Sequence, residues 1–241
     1  MKYLGWELEF FDKANNYRKY QFDLMKKYIK QSILEVGPGN GIIMDKYIYE
    51  SNLDIVLLET DKRLFEKISN KFESKNNVKV YNSKIDTVTR KFKTILYLDV
   101  IEHIENHEEE ILKAYSKLEN DGYLIVMVPS YQHLYSNYDA EVGHYRRFNK
   151  KFFKDLTKKN NIQCEKLIYF DCIGYFFLLT NKIVKLKKRK NFSYGTKVWN
   201  FLIPFSKILD KLLMHSFGKS LLCIYKKADY WEIYFIKKKL I

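Results

Sequence analysis

Proline and glycine are scarce in this chain, at three and nine of 241 residues. No Pro- or Ser-rich linker interrupts it, so it is expected to form one domain spanning 1–241 rather than two joined by a tether. It has no run of about 18 uncharged apolar residues, so no membrane-spanning helix is predicted. The opening stretch MKYLGWELEFFDK lacks the apolar centre of a signal peptide. There is no internal repeat. Cysteine is equally thin: Cys164, Cys172 and Cys223 are odd in number and lack metal-ligand spacing. They are expected as buried thiols in a reducing cytoplasm.

Hydrophobic residues make up 46% of the chain and aromatics 17%, which excludes disorder and supports a sizeable core. Charge is unevenly spread. Residues 1–145 carry a net charge of −3 and residues 146–241 a net charge of +17. Such asymmetry suits an anionic partner: nucleic acid, phospholipid headgroups or a phosphorylated substrate. A lysine-rich surface that is simply solvated is the plain alternative.

The most informative stretch is Ser32 to Gly41, SILEVGPGNG. Ile33, Leu34 and Val36 read as a buried strand, with Glu35 an acid inside it. Gly37, Gly39 and Gly41 follow, with Asn40 between the last two. Glycine tolerates positive φ and lets backbone approach a ligand. A strand, such a loop and then a helix from Ile42 open a nucleotide-binding unit. The third glycine of a dinucleotide fingerprint would fall on Ile42, and no Gly-Lys-Ser/Thr follows, so neither an NAD loop nor a phosphate-cradling loop is expected.

Further strands are predicted at 54–60, 78–81, 94–100, 123–128, 164–170 and 220–225. Helices are predicted at 6–30, 42–50, 61–74, 108–118 and 150–161, with a turn at Asn120-Asp121-Gly122. Alternation of this kind implies an α/β fold with a doubly wound, mostly parallel sheet of seven strands, the last forming an antiparallel hairpin with the sixth. Glu59 and Thr60 end the second strand, where an acid can accept hydrogen bonds from both ribose hydroxyls. Asp86, just past the third strand, is the candidate for an adenine amino group. Asp99, Glu102 and His103 stand at i, i+3 and i+4, which would place them on one side of a helical turn at the fourth strand's carboxyl end. A long aromatic connection, PSYQHLYSNYDAEVGHYRRF over 129–148, carries His133, Asp139, His144, Arg146 and Arg147; loops of that length are usually functional.

The pattern acid-x-Gly-x-Gly-x-Gly resembles the first motif of class I S-adenosylmethionine-dependent methyltransferases, whose cofactor has a cationic amino-acid end suited to a nearby carboxylate. The segments LEVGPGNG, LETD, LYLDVIEHIENHEE, LENDGYLIVMVPS, YDAEVGHYRRFNKKFF and FGKSLLCIYKK resemble, in this order, a bacterial and archaeal family of such enzymes. Its members often accompany glycosyltransferases that use polyisoprenyl-phosphate sugars. The resemblance covers about residues 4–227; Asp171-Cys172-Ile173-Gly174 departs from it where an Asn usually precedes the glycine. It implies a Rossmann-like core at 31–130, a helical cover at 1–30, and an active-site loop and helix at 131–164. The implied cofactor residues are Glu35, Gly37, Gly39, Asn40, Gly41, Glu59, Thr60, Asp86 and Asp99, with Asp99, His103 and His144 at the reacting end. The implied reaction is O-methylation of a glycan, lipid-linked or small-molecule acceptor. An RNA methyltransferase and a non-catalytic partner of a membrane glycosyltransferase are the alternatives.

The Asp-x-x-Glu-His element also resembles methyltransferases in which a divalent cation such as Mg2+ is held there. Transferred to this chain, the set is Asp99, Glu102, His103 and His144. A metal-free general base and a structural His144 stand beside that reading. The segment 172–219 reads as an amphipathic insert of two helical stretches with many lysines. Such an insert can lie on an anionic membrane surface, grip a lipid phosphate, or pack on the sheet or a second copy. Lys187–Lys190 with the nearby tyrosines would also permit nucleic acid. The enzyme is thus expected in the cytoplasm, at the inner face of the membrane if the insert docks there. The tail 228–241 has no recognised counterpart.

Overall fold

The computed structural model describes residues 5, 8–50, 52–184 and 189–228. The basic run 185–188 and all but Ala228 of the tail lie outside them.

Seven strands form one sheet: β1 (Ile33–Val36), β2 (Ile55–Leu58), β3 (Val78–Tyr81), β4 (Phe92–Leu98), β5 (Leu118–Pro129), β6 (Gln163–Phe170) and β7 (Ser220–Lys226). Their order is β3-β2-β1-β4-β5-β7-β6. The first five run parallel, and β7 lies antiparallel between β5 and β6. This is the expected doubly wound arrangement. Winding reverses between β1 and β4, where Val36 pairs with Tyr97, and the crevice beyond their carboxyl ends is the natural ligand position of such a sheet.

The strands are nearly continuous apolar runs because both faces are covered. Leu34, Val36, Ile95, Tyr97, Leu124 and Val126 pack on one side, under α4 (His107–Ser116) and α6 (Lys150–Asn160). Their alternates Ile33, Leu57, Leu96, Leu98, Ile125 and Met127 face the other side, under α2 (Asn15–Met25), α3 (Lys62–Phe72) and α8 (Arg189–Leu212). Glu35 follows the parity of Ile33 and therefore lies on the α2 side, although it is an acid only 3% exposed.

Two expectations are corrected and a third is shortened. The segment expected as one helix over 6–30 is broken into α1 (Leu8–Asp12) and α2, with a 3₁₀ turn at Lys26–Tyr28. The helix expected over 42–50 forms over 42–48, its last five residues, Met44–Ile48, being π-helical. Asn120-Asp121-Gly122 is not a free turn. Pairing of β4 with β5 already starts at Phe92 with Leu118, and the irregularity between Phe92 and Thr94 absorbs Asp121 at φ +60°.

The expected insert consists of α7 (Cys172–Val184) and α8. Its inner face is anchored by two buried acids. Asp210 accepts hydrogen bonds from the amides of Asp171 and Cys172 and from the Tyr20 hydroxyl at 2.8 Å. Asp171 accepts from Trp199 Nε1 at 2.8 Å, Ser206 Oγ and the Gly174 amide. Asp171 is therefore a structural anchor. Pro204 inside α8 cannot donate to the Asn200 carbonyl, and Asn16 Nδ2 does so instead at 3.0 Å.

Candidate active site

The loop after β1 needs glycine for two separate reasons. Gly37, Gly39 and Gly41 have φ of +68°, +57° and +66°. A Cβ on Gly37 would also come within 2.7 Å of Val100, and one on Gly41 within 2.9 Å of Phe72. A side chain at Gly37 or Gly41 would be strained in backbone and in space, and one at Gly39 in backbone alone.

Glu59 ends β2 at 6% exposure. It accepts from the Gly39 amide at 3.3 Å and from the Asp61 amide at 2.9 Å. Burial pushes its carboxyl up, and these amides oppose the rise. Thr60 beside it is exposed, and its carbonyl accepts from Asn82. Asp86 is also exposed and pairs with Lys113 at 2.8 Å, which holds its carboxyl low. Asp86 Oδ1 thus meets Lys113 of α4.

Helix α2 supplies side chains that sequence reasoning missed. Arg18 Nη1 donates to Gln21 Oε1 at 2.9 Å and lies 3.8 Å from Asp99 Oδ2. Gln21, fully buried, donates to the same Asp99 oxygen at 3.1 Å. Asn40 donates to Asp12 at 2.5 Å from the loop below. A sequence signal existed: Arg18 and Gln21 interrupt an otherwise apolar stripe of Tyr17, Tyr20 and Met25.

The expected grouping of Asp99, Glu102 and His103 on one face is corrected. Asp99 leaves β4 at φ +59°, and the 3₁₀ turn begins only at Ile101, so Asp99 turns toward α2. Glu102 and His103 instead meet His144. Donor atoms of these three lie within 4.8 Å of one another, and Asp99 is outside the set. The His103 and His144 rings meet edge to face at 4.6 Å. His144 Nδ1 is bonded to Asp139 Oδ1 at 2.9 Å, while Nε2 points to Glu102, 3.9 Å away.

Asp139, in the short helix α5 (Asn137–Glu141), is wholly buried, bonded to Arg147 at 2.8 and 3.1 Å and to Ser136. Burial pushes its carboxyl up, but His144 and Arg147 outweigh that and hold it low. It is thus an ionised carboxylate that fixes the His144 ring. Burial, helped by His144, holds the His103 imidazole down at about 3, so it is neutral at physiological pH. Burial and the Asp99 charge raise Glu102 well above the ordinary carboxylate range.

A family model described as a methyltransferase domain matches residues 7–167, two-thirds of the chain. The chain belongs to this methyltransferase family. The match runs from the helical cover through the glycine loop and the His103–His144 cluster. Comparison with the curated proteins finds no match. Solved structures share the fold at low identity. An Archaeoglobus fulgidus S-adenosylmethionine-dependent methyltransferase aligns with a TM-score of 0.57 at 16% identity, covering 92% of this chain and 100% of that one. The N-methyltransferase NodS of Bradyrhizobium japonicum gives 0.56 at 10%, covering 90% and 98%. A Haemonchus contortus phosphoethanolamine N-methyltransferase, in complex with S-adenosylmethionine, gives 0.60 at 13%, covering 88% and 53%. The expectation of a class I, S-adenosylmethionine-dependent methyltransferase on a Rossmann-like fold stands.

Among the described residues, Ser69 Oγ on α3 is buried without a hydrogen-bond partner, and so are Arg18 Nε, Glu35 Oε2, Asn40 Oδ1 and Glu102 Oε2. A buried polar atom left this way is costly, and the last four surround the glycine loop and the histidine cluster. Glu35 is the clearest case: burial pushes its carboxyl up to about 7 from an ordinary 4.5.

A pH dependence follows. An acid whose folded-state pKa is raised stabilises the fold fully below its unfolded value. That contribution is lost as pH rises through about 7. Without cofactor, the loss due to Glu35 is expected to total about 3 kcal/mol between pH 4.5 and 7. Glu35→Gln should therefore melt higher than the parent above pH 7 yet bind the cofactor more weakly. Melting curves of the two proteins that differ equally at pH 5 and pH 8 would contradict this origin.

Proposed function

We propose that this methyltransferase transfers a methyl group to a hydroxyl of a glycan, lipid-linked or other small acceptor, with His144 as the general base. S-adenosylmethionine, when bound, would supply the methyl group and leave as S-adenosylhomocysteine. Glu35 and Asp99 would face the ammonium of its amino-acid end and Arg18 the carboxylate. Glu59 would take the ribose hydroxyls, and the glycine loop with Asn40 would lie along the sugar. Asp86, which meets Lys113 through Oδ1, would accept from the adenine amino group. Gln21 holds Asp99 in position.

The Asp139–His144 pair carries the proposal for oxygen. A neutral amine attacks with its own lone pair, whereas a hydroxyl must lose a proton, and a carboxylate-oriented imidazole takes it at Nε2. Tyr131, His133 and Tyr175 add an aromatic surface beside the loop, with ring centroids 5.2 to 5.9 Å apart, of the kind on which a sugar ring stacks. A lipid-linked acceptor is met at a bilayer, and peripheral attachment at the membrane's inner face is part of this reading. The test is S-adenosylhomocysteine release with polyisoprenyl-linked sugars and with simple amines, the methylated atom being located by mass spectrometry. Methylation at oxygen is expected; efficient methylation of amines alone would overturn the choice.

The Glu102–His103–His144 cluster favours a second reading, in which these side chains hold a divalent cation that would polarise the acceptor hydroxyl. Two imidazoles and one carboxylate suit Zn2+ or Fe2+ better than the Mg2+ anticipated. The Asp139 bond to His144 Nδ1 is the outer support usual for a metal-bound histidine. Calorimetry of the protein with Zn2+ should show one site, weakened about tenfold or more by His103→Ala. Absence of heat with the parent protein would dismiss the cation.

A further inference from the structure

Helix α8 buries one face and leaves the other without a partner among the described residues. Trp199, Ile203, Ser206 and Asp210 point inward. On the opposite side Tyr194, Val198, Phe201, Phe205, Ile208 and Leu212 are exposed, between 37% and 73%. Their spacing alternates four and three residues, so they stay on one stripe about 27 Å long. Met214, just beyond, is 85% exposed. Single exposed apolar residues are ordinary; a continuous row of this length marks a contact surface.

Charge selects the occupant. Residues 172–219 contain ten Lys and Arg but one acid, Asp210, which is wholly buried. Lys197 and Lys211 are exposed beside the row. A second copy brought face to face would oppose lysine to lysine, whereas an anionic bilayer complements both the lysines and the apolar row. A cavity of about 230 Å³ lies on the flank of the carboxyl half of α8, toward the end of α2, lined by Tyr20, Asp23, Lys26, Lys207, Lys211 and His215. Asp23 already occupies Lys207 at 2.6 Å, with Lys26 at 3.7 Å, which leaves the lining with an excess of positive charge. Helix α7 connects this face to the acceptor loop: Phe176 is exposed, and its neighbour Tyr175 is bonded to His133 at 3.1 Å.

We infer that the outer face of α8 lies in the headgroup layer of an anionic membrane, with a lipid phosphate seated in the Lys26–Lys207–Lys211 cavity. This names the surface and lipid chemistry of the peripheral attachment proposed above and rests on that reading. Its test involves no methyl transfer, so either can fail alone. Whether the cavity takes a lipid headgroup or free phosphate is part of the same experiment.

The full chain is mixed with vesicles of phosphatidylcholine alone or with added phosphatidylglycerol, then sedimented. Binding is expected to the anionic vesicles and to be about tenfold or more weaker on the neutral ones. The variant Phe201→Ser/Phe205→Ser/Ile208→Ser should stay in the supernatant while keeping its affinity for S-adenosylmethionine. The charge variant Lys26→Glu/Lys211→Glu, which leaves the apolar row intact, should lose the preference for anionic lipid. Inorganic phosphate at millimolar concentration should compete only weakly; complete release by it, with no dependence on lipid, would make the cavity a free-anion site. A parent protein that ignores anionic vesicles overturns the inference. So does a parent dimer that the triple serine variant converts to monomer, or retention on RNA without retention on vesicles.

Discussion

Replacing His144 with alanine is expected to lower kcat by about 10²–10⁴-fold, the usual contribution of a positioned base. Affinity for S-adenosylmethionine should stay nearly unchanged, because His144 meets Glu102 and His103 past β4, whereas Glu59 follows β2, on the far side of β1. The expectation rests on geometry: Asp139 fixes Nδ1 at 2.9 Å, so Nε2 alone faces the space beside Glu102 and His103. His103 is a poorer candidate, since an imidazole held at about 3 binds protons too weakly near neutrality. Asp139→Asn separates positioning from base chemistry. It keeps the shape but removes the charge, so it should lower kcat and shift the pH profile without altering KM for the cofactor. Its interpretation is guarded by Arg147, which would lose its buried partner and destabilise the fold. A melting curve therefore accompanies the kinetics. A His144→Ala enzyme with kcat within about threefold of the parent would remove the base from the account.

Replacing Glu59 is expected to have the second large effect. A carboxylate accepting from two ribose hydroxyls makes charge-assisted bonds, each worth about 1.5–3 kcal/mol. Glu59→Ala should therefore weaken S-adenosylmethionine binding by about a hundredfold or more. Part of the loss would come through the protein itself, since Glu59 also holds the Gly39 and Asp61 amides and so braces the loop. Glu59→Gln distinguishes the two. The amide can keep one acceptor toward the loop but loses the charge, so an intermediate loss is expected from calorimetry. Equal affinity of parent and Glu59→Ala would mean that the ribose sits elsewhere.

The sheet was legible in the sequence because its central strands are buried on both faces and read as short apolar runs. The places where the sequence misled are local and physical. Asn120-Asp121-Gly122 has the residues of a turn, yet Asp121 takes a positive φ within a strand that sheet pairing extends to Leu118. Asp99 looked like the first member of a helical i, i+3, i+4 set, but the chain turns at Asp99 itself, and the helical turn starts two residues later. Periodicity cannot reveal a left-handed residue. The histidines were legible because the connection holding His144 is too long to be idle. Asp139 and Arg147 were noticed there, but not that they support His144. Arg18 and Gln21 were hidden for a different reason: Gln21 meets Asp99 across 78 positions, a contact made by packing alone. Two amphipathic faces were visible in the insert. That one is anchored by Asp171 and Asp210 while the other stays open needed the fold.

The most direct measurement is calorimetric titration of the full chain with S-adenosylmethionine at pH 7.5. The account predicts a single saturable site that Glu59→Ala nearly abolishes, that Glu35→Gln weakens, and that His144→Ala leaves in place. No binding at millimolar cofactor, or binding indifferent to Glu59, would contradict the placement of the cofactor in the glycine-loop cleft.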